Sequence, residues 1–190
     1  ELLSAIAHSA AIAIENARLF GVAVEKGRME RELQVARDLQ ASLLPRTTPQ
    51  VPGWEFAATW QPARQTSGDY YDFFAAREGA VGLVIGDVSG KGMAAALFMA
   101  LTRSIVRASL TQPAPLAQAI DHANRLICAD ATGGMFVTLF CAEIRLVTGE
   151  VTYVNAGHNP PLLLSSGKEG HQPETLPPTG MALGVLEDTA

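Results

Sequence analysis

The sequence has 190 residues, of which 48% are hydrophobic and 17% are charged. This length suits one domain of ordinary size with an appendage, and the hydrophobic share is enough for a buried core. A formal net charge of −5, with no cluster of Lys or Arg, excludes a nucleic-acid-binding surface.

Two features bear on the cellular compartment. Cys128 and Cys141 are far apart and too few for a disulfide framework, so we expect buried thiols in a reducing compartment, the cytoplasm. The chain starts at Glu1 without a secretory signal, and the apolar part of residues 2–14 is too short to span a bilayer. We therefore expect a cytoplasmic piece of a longer protein, with no membrane segment in this stretch.

Residues 1–45 contain no strong helix breaker except Gly21 and Gly27, and they predict a long helix. Each glycine weakens a helix by about 1 kcal/mol relative to alanine, so we expect a joint or kink there. Apolar residues recur at spacings of three and four, at Leu2, Ile6, Ala10, Ala13, Ala17 and Phe20. A heptad-like seam follows, formed by Met29, Leu33, Ala36, Gln40 and Leu43. Two interpretations stay open: a helix packed on its own domain, or a signalling linker that pairs with its twin in a homodimer.

Residues 46–190 have the pattern of short strands around two helices. We predict strands at 54–60, 70–75, 81–85, 135–144, 151–155 and 161–164, and helices at 93–110 and 116–129. Turns are predicted at 78–79, 148–150 and 166–170. We expect Met93, Leu97, Met99 and Leu101 in the core, because they recur at helical spacing. The order strands, helices, strands, with hairpin-length connections, predicts an α+β domain with antiparallel sheets.

A glycine-rich acidic turn at 86–92 joins the apolar strand to the first of these helices. It is not a P-loop, because three residues rather than four separate Gly86 from Gly90, and Gly92 occupies the hydroxyl position. A carboxylate at the end of a buried strand is costly unless it is paired, hydrogen-bonded or bound to metal. Asp87 is therefore either a cap at the helix start or a ligand.

Asp69 and Asp87 lie about nine residues on either side of the turn at 78–79, so a hairpin would bring them to the same end. Two carboxylates without a basic partner repel, which a divalent cation would relieve, and oxygen ligands favour Mg²⁺ or Mn²⁺ over zinc. Capping of turns by strand-end aspartates is the alternative. Asp72 is three residues from Asp69, so it would share the site only if a bend intervenes.

Four motifs, in this order, resemble the SpoIIE/RsbU-type branch of the bacterial metal-dependent serine/threonine phosphatases, which are type 2C-like: SGDYYDFF (67–74), GDVSGKGMAAALFMA (86–100), MFVTLF (135–140) and YVNAGHNPPLLL (153–164). The segment ERELQVARDLQASLLP (30–45) resembles the linker helix that precedes this domain, and AIAIENARLF (11–20) resembles the last helix of a GAF sensor domain. The resemblance implies that residues 46–190 form an αββα sandwich of two antiparallel sheets flanked by helices, incomplete at its C-terminus.

The resemblance also implies a site. Asp69 and Asp87 would hold two Mn²⁺ or Mg²⁺ ions, with Asp87 bridging them and the backbone carbonyl of Val88 facing a metal. Asp72 is a further candidate ligand, directly or through water. The metals would activate a water that hydrolyses phosphoserine or phosphothreonine on a protein, in this family an anti-sigma-factor antagonist.

Two weaker candidates could contact the substrate. His158 lies in a Gly/Asn/Pro turn, where a packed structural histidine is the plainer interpretation. Lys91 stands at a helix start, where a solvated lysine is the plainer interpretation. No second His or Cys accompanies His158 in the sequence, so we do not expect it to bind a metal.

The family pattern places further metal-binding aspartates after residues 178–184, beyond Ala190. We therefore expect this 190-residue chain to bind metal weakly and to be catalytically poor, whereas the parent protein should be active. Two rival functions stay open: an inactive phosphatase-like module for docking or dimerisation, and a metal-dependent hydrolase of small phosphate esters.

Overall fold

The computed structural model describes residues 2–62, 66–77, 79–164 and 173–187. Within these ranges three helices and six strands follow one another: α1 (Leu2–Leu43), β1 (Asp69–Ala75), β2 (Ala80–Val88), α2 (Met93–Leu110), α3 (Leu116–Asp130), β3 (Val137–Arg145), β4 (Val151–Ala156), β5 (Leu162–Leu163) and β6 (Glu174–Thr175). The predicted α+β class is confirmed. The predicted turn at 166–170 lies outside the described residues.

The main sheet has four antiparallel strands in the order β1-β2-β3-β4, and β5 pairs with β6 in a second, two-stranded antiparallel sheet. Every pairing within the main sheet joins strands that are consecutive in the chain. Helices α2 and α3 lie between β2 and β3 in the sequence, and they cover one face of this sheet. The strand order in the sheet thus follows the chain order, and the two helices stack on the sheet rather than separating β2 from β3.

The core lies between the four-stranded sheet and the helix pair. Alternate residues of the strands point into it, among them Val84, Leu139 and Cys141, each no more than 2% exposed. The helices contribute Met99 and Ile127, both fully buried. Burying a side chain of this size stabilises the fold by about 1.5–3 kcal/mol.

One core prediction for α2 is wrong in part. Met99 is buried, but Met93, Leu97 and Leu101 are 40%, 65% and 36% exposed. These three residues are four apart, so they share one stripe of the helix. That stripe faces away from the sheet, and helical spacing alone does not tell which stripe of an apolar helix is covered.

Helix α2 is also the one helix among the described residues that is long and apolar enough to cross a membrane by length and composition. Its buried side chains, including Met99 and Val106, pack in the core cluster of this domain. A core helix passes the same test of length and composition, so this finding is weak evidence for a membrane span.

The register between β1 and β2 is fixed by two aromatic rings that lie over glycines. Tyr70 pairs with Gly86, and Phe74 pairs with Gly82. A Cβ atom added to either glycine would overlap the ring of its partner. Each ring therefore fits only where the opposite strand has no side chain.

Helix α1 runs without a break through Gly21 and Gly27. The predicted long helix is confirmed, and the predicted joint does not interrupt it. Its side chains are exposed over most of its length, but Leu33 and Ala36 are partly covered and Gln40 is buried. The second half of the predicted seam thus faces the helix's own domain. Met29, at the start of that seam, is 57% exposed.

The segment between α1 and β1 does not form the strand predicted at 54–60. Residues 55–62 are irregular, and Val51 and Trp54 form an isolated bridge before them. The indole of Trp54 donates a hydrogen bond to the carbonyl of Leu146 (3.1 Å), and that of Trp60 donates one to the carbonyl of Asp69 (3.0 Å). The tryptophans therefore attach this segment to the sheet without a strand.

Candidate active site

Asp69 and Asp87 are direct partners across the β1–β2 hairpin. Asp69 is the first residue of β1 and Asp87 is the second-to-last residue of β2, so both stand at the open end of the hairpin. Side chains of directly paired residues lie on the same face of a sheet. Both carboxylates are on the face opposite the helix pair, and both residues are exposed.

The electrostatics of this pair are unfavourable without a cation. Partial burial raises the pKa of the Asp87 carboxyl, and the charge of Asp69 and a hydrogen bond with it raise the pKa further. In the part of the chain that the structure describes, no Lys or Arg forms an ion pair with either residue. Two like charges held together in this way attract a positive ion.

Ser67 fixes the carboxylate of Asp69. Its hydroxyl donates to Oδ2 of Asp69 (2.7 Å) and accepts the backbone N–H of the same residue (3.1 Å). This role of Ser67 was not predicted. A serine two residues before a strand-end aspartate is a signal for such a turn, because short hydroxyl side chains bond nearby backbone groups.

Thr138 connects His158 to the pair. Thr138 is opposite Asp87 in the pairing of β2 with β3, and its Oγ1 lies 2.9 Å from Nδ1 of His158. The backbone N–H of His158 donates to the side-chain carbonyl of Asn155 (2.8 Å). Partial burial lowers the pKa of His158, and the negative charge of Asp69 opposes this effect. His158 thus lies beside the carboxylates, and Thr138 was not predicted.

Val88 and Gly68 bring two backbone segments together next to the carboxylates. The N–H of Val88 donates to the carbonyl of Gly68 (3.3 Å). A Cβ atom at position 68 would lie 2.6 Å from the carbonyl oxygen of Val88. Only glycine lets the backbone before Asp69 approach the predicted metal-facing carbonyl this closely.

Replacing Gly68 by alanine should therefore destabilise the fold, because a fixed backbone oxygen cannot move aside as a side chain can. We expect a loss of about 1–3 kcal/mol in the free energy of unfolding, measured by urea denaturation. Gly180→Ala is the matched control, since no atom lies within 4 Å of its added Cβ. Equal stability of the two variants would contradict the close approach.

The loop 89–92 carries Lys91. Gly90 and Gly92 both have positive φ angles, 94° and 77°, which side-chain-bearing residues rarely adopt. Ser89 holds the loop to the start of β3: its N–H donates to the carbonyl of Phe136 (2.9 Å), and its hydroxyl accepts the N–H of Phe136 (3.0 Å). Lys91 is exposed on this loop.

Asp72 is not brought to the carboxylate pair. Its side chain is 5% exposed on the helix-facing side of β1, where it bonds Arg107 (2.7 Å) and Arg103 (3.1 Å) of α2. Strand β1 is regular from Asp69 to Ala75, so no bend turns Asp72 toward Asp69. The prediction that Asp72 shares the metal site with Asp69 is therefore corrected. Asp72 instead attaches α2 to the edge strand of the sheet.

The donor groups at this end of the hairpin are those that a hard divalent cation prefers. Asp69 and Asp87 offer carboxylate oxygens without a basic partner, and Val88 adds a backbone carbonyl beside them. The described residues contain no cluster of three His, Cys, Asp or Glu side chains. The two carboxylates therefore fit one part of a metal site.

The chain matches the model of a known family over residues 77–190, and this family is described as stage II sporulation protein E (SpoIIE). Two curated relatives are similar over most of the chain. Protein IcfG of Synechocystis is 32% identical over 87% of this chain and 30% of its own length. Phosphoserine phosphatase RsbU of Bacillus subtilis is 30% identical over 84% of this chain and 47% of its own length. The chain thus spans less than half of either relative.

Two solved structures are similar in fold. The RsbU and RsbW domains of a Mycobacterium tuberculosis protein match with a TM-score of 0.57 and 27% identity, over 68% of this chain and 35% of that one. The SiaA-PP2C domain of Pseudomonas aeruginosa matches with a TM-score of 0.62 and 16% identity, over 84% of this chain and 64% of that one. At 16% identity the second likeness concerns the fold alone.

Proposed function

Because the chain belongs to the SpoIIE family, we propose that it is a metal-dependent protein serine/threonine phosphatase domain of a bacterial signalling protein. The observation that carries the proposal is the direct pairing of Asp69 with Asp87 at one end of the hairpin. The similarity to RsbU, named a phosphoserine phosphatase, supports the reaction class. The match to the PP2C domain of SiaA supports the scaffold.

We assign Asp69, Asp87 and the backbone carbonyl of Val88 to the binding of two Mn²⁺ or Mg²⁺ ions. Such ions, when bound, supply a hydroxide at neutral pH and neutralise phosphoryl oxygens. The chain's own contribution is to hold the two carboxylates in fixed register and to orient Asp69 through Ser67. This chemistry needs no nucleophilic side chain, which suits a sequence without a Ser-His-Asp or Cys-Arg motif.

His158 and Lys91 are proposed to contact the substrate. Nδ1 of His158 is held by Thr138, which leaves Nε2 as the atom that can exchange a proton with a serine oxygen or bond a phosphoryl oxygen. The Lys91 ammonium stands on the glycine-rich loop that follows Asp87, where it can attract a phosphoryl group.

The proposed substrate is a phosphorylated protein, an anti-sigma-factor antagonist in a cytoplasmic pathway. The test is Mn²⁺-dependent phosphate release by the full-length natural protein, compared on a phosphoserine protein and on free phosphoserine. We expect release from the protein substrate only, and only with the metal.

The two rival functions give different results in this assay. Release from free phosphoserine at an equal or higher rate would favour a hydrolase of small phosphate esters. No release from either compound with Mn²⁺ or Mg²⁺ would contradict an enzyme and favour a docking module.

We further propose that residues 1–45 form a linker that pairs with a second copy and carries a signal from an N-terminal GAF-like sensor. Support comes from the exposed apolar side chains along α1, including Leu2, Ile6 and Phe20, which are 77%, 57% and 73% exposed. Sedimentation of the chain with and without residues 1–30 tests the pairing. We expect a dimer that dissociates when those residues are removed. A monomer in both cases would contradict it.

A further inference from the structure

The hydroxyl of Thr138 lies between two groups at the carboxylate end of the sheet. Its Oγ1 is 2.9 Å from Nδ1 of His158 and 3.4 Å from the backbone carbonyl oxygen of Asp87, which is opposite Thr138 in the pairing of β2 with β3. A threonine hydroxyl has one proton to donate, and it can also accept a hydrogen bond. It can therefore donate to only one of these two neighbours.

The two neighbours of this hydroxyl differ in what they can do. The carbonyl oxygen of Asp87 only accepts, whereas Nδ1 of a neutral imidazole donates or accepts, depending on which ring nitrogen carries the proton. Both contacts are hydrogen bonds only if Nδ1–H donates to Oγ1 and the Thr138 hydroxyl donates to Asp87. If the hydroxyl donated to Nδ1 instead, the bond to Asp87 would be lost. The arrangement with both bonds therefore places the proton of the neutral ring on Nδ1.

Asn155 holds the turn that carries this ring. Its side chain is fully buried: Oδ1 accepts the backbone N–H of His158 (2.8 Å), and Nδ2 donates to the carbonyl oxygen of Leu176 (3.2 Å). Both halves of the amide are used, so its orientation is set by its partners. His158 is thus anchored through its backbone and through Nδ1, and within the described residues no group bonds Nε2.

We propose that Thr138 is a positioning residue that keeps neutral His158 in the Nδ1–H form, so that Nε2 presents a lone pair beside Asp69 and Asp87. A lone pair binds a proton-bearing oxygen, as in water or a serine hydroxyl, and repels an unprotonated phosphoryl oxygen. The catalytic meaning of this inference rests on the proposed function. There, the partner of Nε2 is a water molecule or a hydroxyl group and not the phosphoryl group itself.

The form of the ring can be measured directly by nuclear magnetic resonance of the ¹⁵N-histidine-labelled, full-length natural protein without metal. Partial burial lowers the pKa of His158 against the opposing charge of Asp69, and an ordinary imidazole is already mostly neutral at about pH 8. At that pH, two-bond ¹⁵N–¹H correlations tell which nitrogen carries the proton. The signal of His158 is identified by its loss in His158→Gln. We expect Nδ1–H to exceed Nε2–H at least fivefold, and an excess of Nε2–H would overturn the proposal.

Two substitutions at position 138 test whether the hydroxyl causes this preference. Thr138→Val keeps the shape of the side chain and removes the hydroxyl, and Thr138→Ser retains it. We expect the ratio of Nδ1–H to Nε2–H to fall at least fivefold in the valine variant and to stay near wild type in the serine variant. The matched control is Thr152→Val, at an exposed position of β4, which should leave the ratio unchanged. A valine variant with the wild-type ratio would refute the role of Thr138.

The wild-type spectrum decides the tautomer even if Thr138→Val does not fold. Where it folds, Mn²⁺-dependent phosphate release gives a second measurement. We expect kcat to fall about tenfold, a part of what a positioned proton-transfer group supplies, with KM within threefold of wild type. A higher KM at unchanged kcat would place Nε2 on the phosphoryl group and contradict the proposal. If the wild-type protein releases no phosphate, the proposed function fails, while the spectra still judge the link from Thr138 to His158.

Discussion

Replacing Asp87 by asparagine should reduce Mn²⁺-dependent phosphate release by more than roughly 100-fold. The loss of an outer partner of a metal ligand typically costs 10–100-fold, so loss of a direct carboxylate ligand should exceed that range. Asparagine has nearly the same shape but no charge, and it cannot take part in a site that depends on two paired carboxylates. The measurement is phosphate release from a phosphoserine protein by the full-length protein across a series of Mn²⁺ concentrations.

The stability of the same variant should not fall. Burial and the nearby charge of Asp69 raise the pKa of Asp87, so the ionised carboxylate is disfavoured in the folded protein without metal. Removing that charge relieves the repulsion, and the free energy of unfolding without metal should be unchanged or higher. The control is Asp130→Asn, at the exposed end of α3, which should leave activity intact. Activity within threefold of wild type in Asp87→Asn would remove Asp87 from the proposed metal site.

Replacing Asp72 by asparagine should destabilise the fold by about 3 kcal/mol, because removal of one partner leaves buried charge without compensation. The Asp72 side chain is 5% exposed and that of Arg103 is 15% exposed, and both Arg103 and Arg107 bond the same carboxylate. Asparagine would turn an N–H donor or a weaker acceptor toward two guanidinium groups. For a domain of this size the melting temperature should fall by roughly 10 °C.

The matched control for Asp72 is Glu150→Gln. Glu150 pairs with Arg145 at 3.4 Å, but both side chains are more than 60% exposed. Exposed pairs contribute about 0–1 kcal/mol, so this variant should melt close to wild type. If Asp72→Asn melts at the same temperature as Glu150→Gln, the ion pairs of Asp72 with Arg103 and Arg107 add little to the attachment of α2.

The carboxylate pair could be anticipated from the sequence because a hairpin is a local structure. Counting residues outward from the turn predicted that Asp69 and Asp87 lie at the same end of the hairpin. In the structure the two residues pair directly across β1 and β2. The helices 93–110 and 116–129 were also predictable, since their apolar residues recur with helical spacing and a Pro-containing segment separates them. These features depend on residues that are close together in the chain.

The contacts that were missed join residues far apart in sequence. Arg107 meets Asp72 across 35 residues, and Gln40 meets Ser67 across 27. In the heptad-like seam, Gln40 had the pattern of an interfacial position, and only the packed structure tells that its partner is its own domain. Likewise, the aromatic residues at 54–60 alternate as in a strand, but the described segment is attached to the sheet by indole hydrogen bonds instead.

The two rings that cover glycines also determine which insertions and deletions this hairpin can accept. An extra residue in the connection between Ala75 and Ala80 would leave both ring–glycine pairs in place. An extra residue between Asp69 and Tyr70 would shift Asp69 out of line with Asp87, and a slip of one position turns a side chain to the other face of the sheet. The number of residues between the two aspartates is therefore free to vary through the connection, while their alignment across the strands is not.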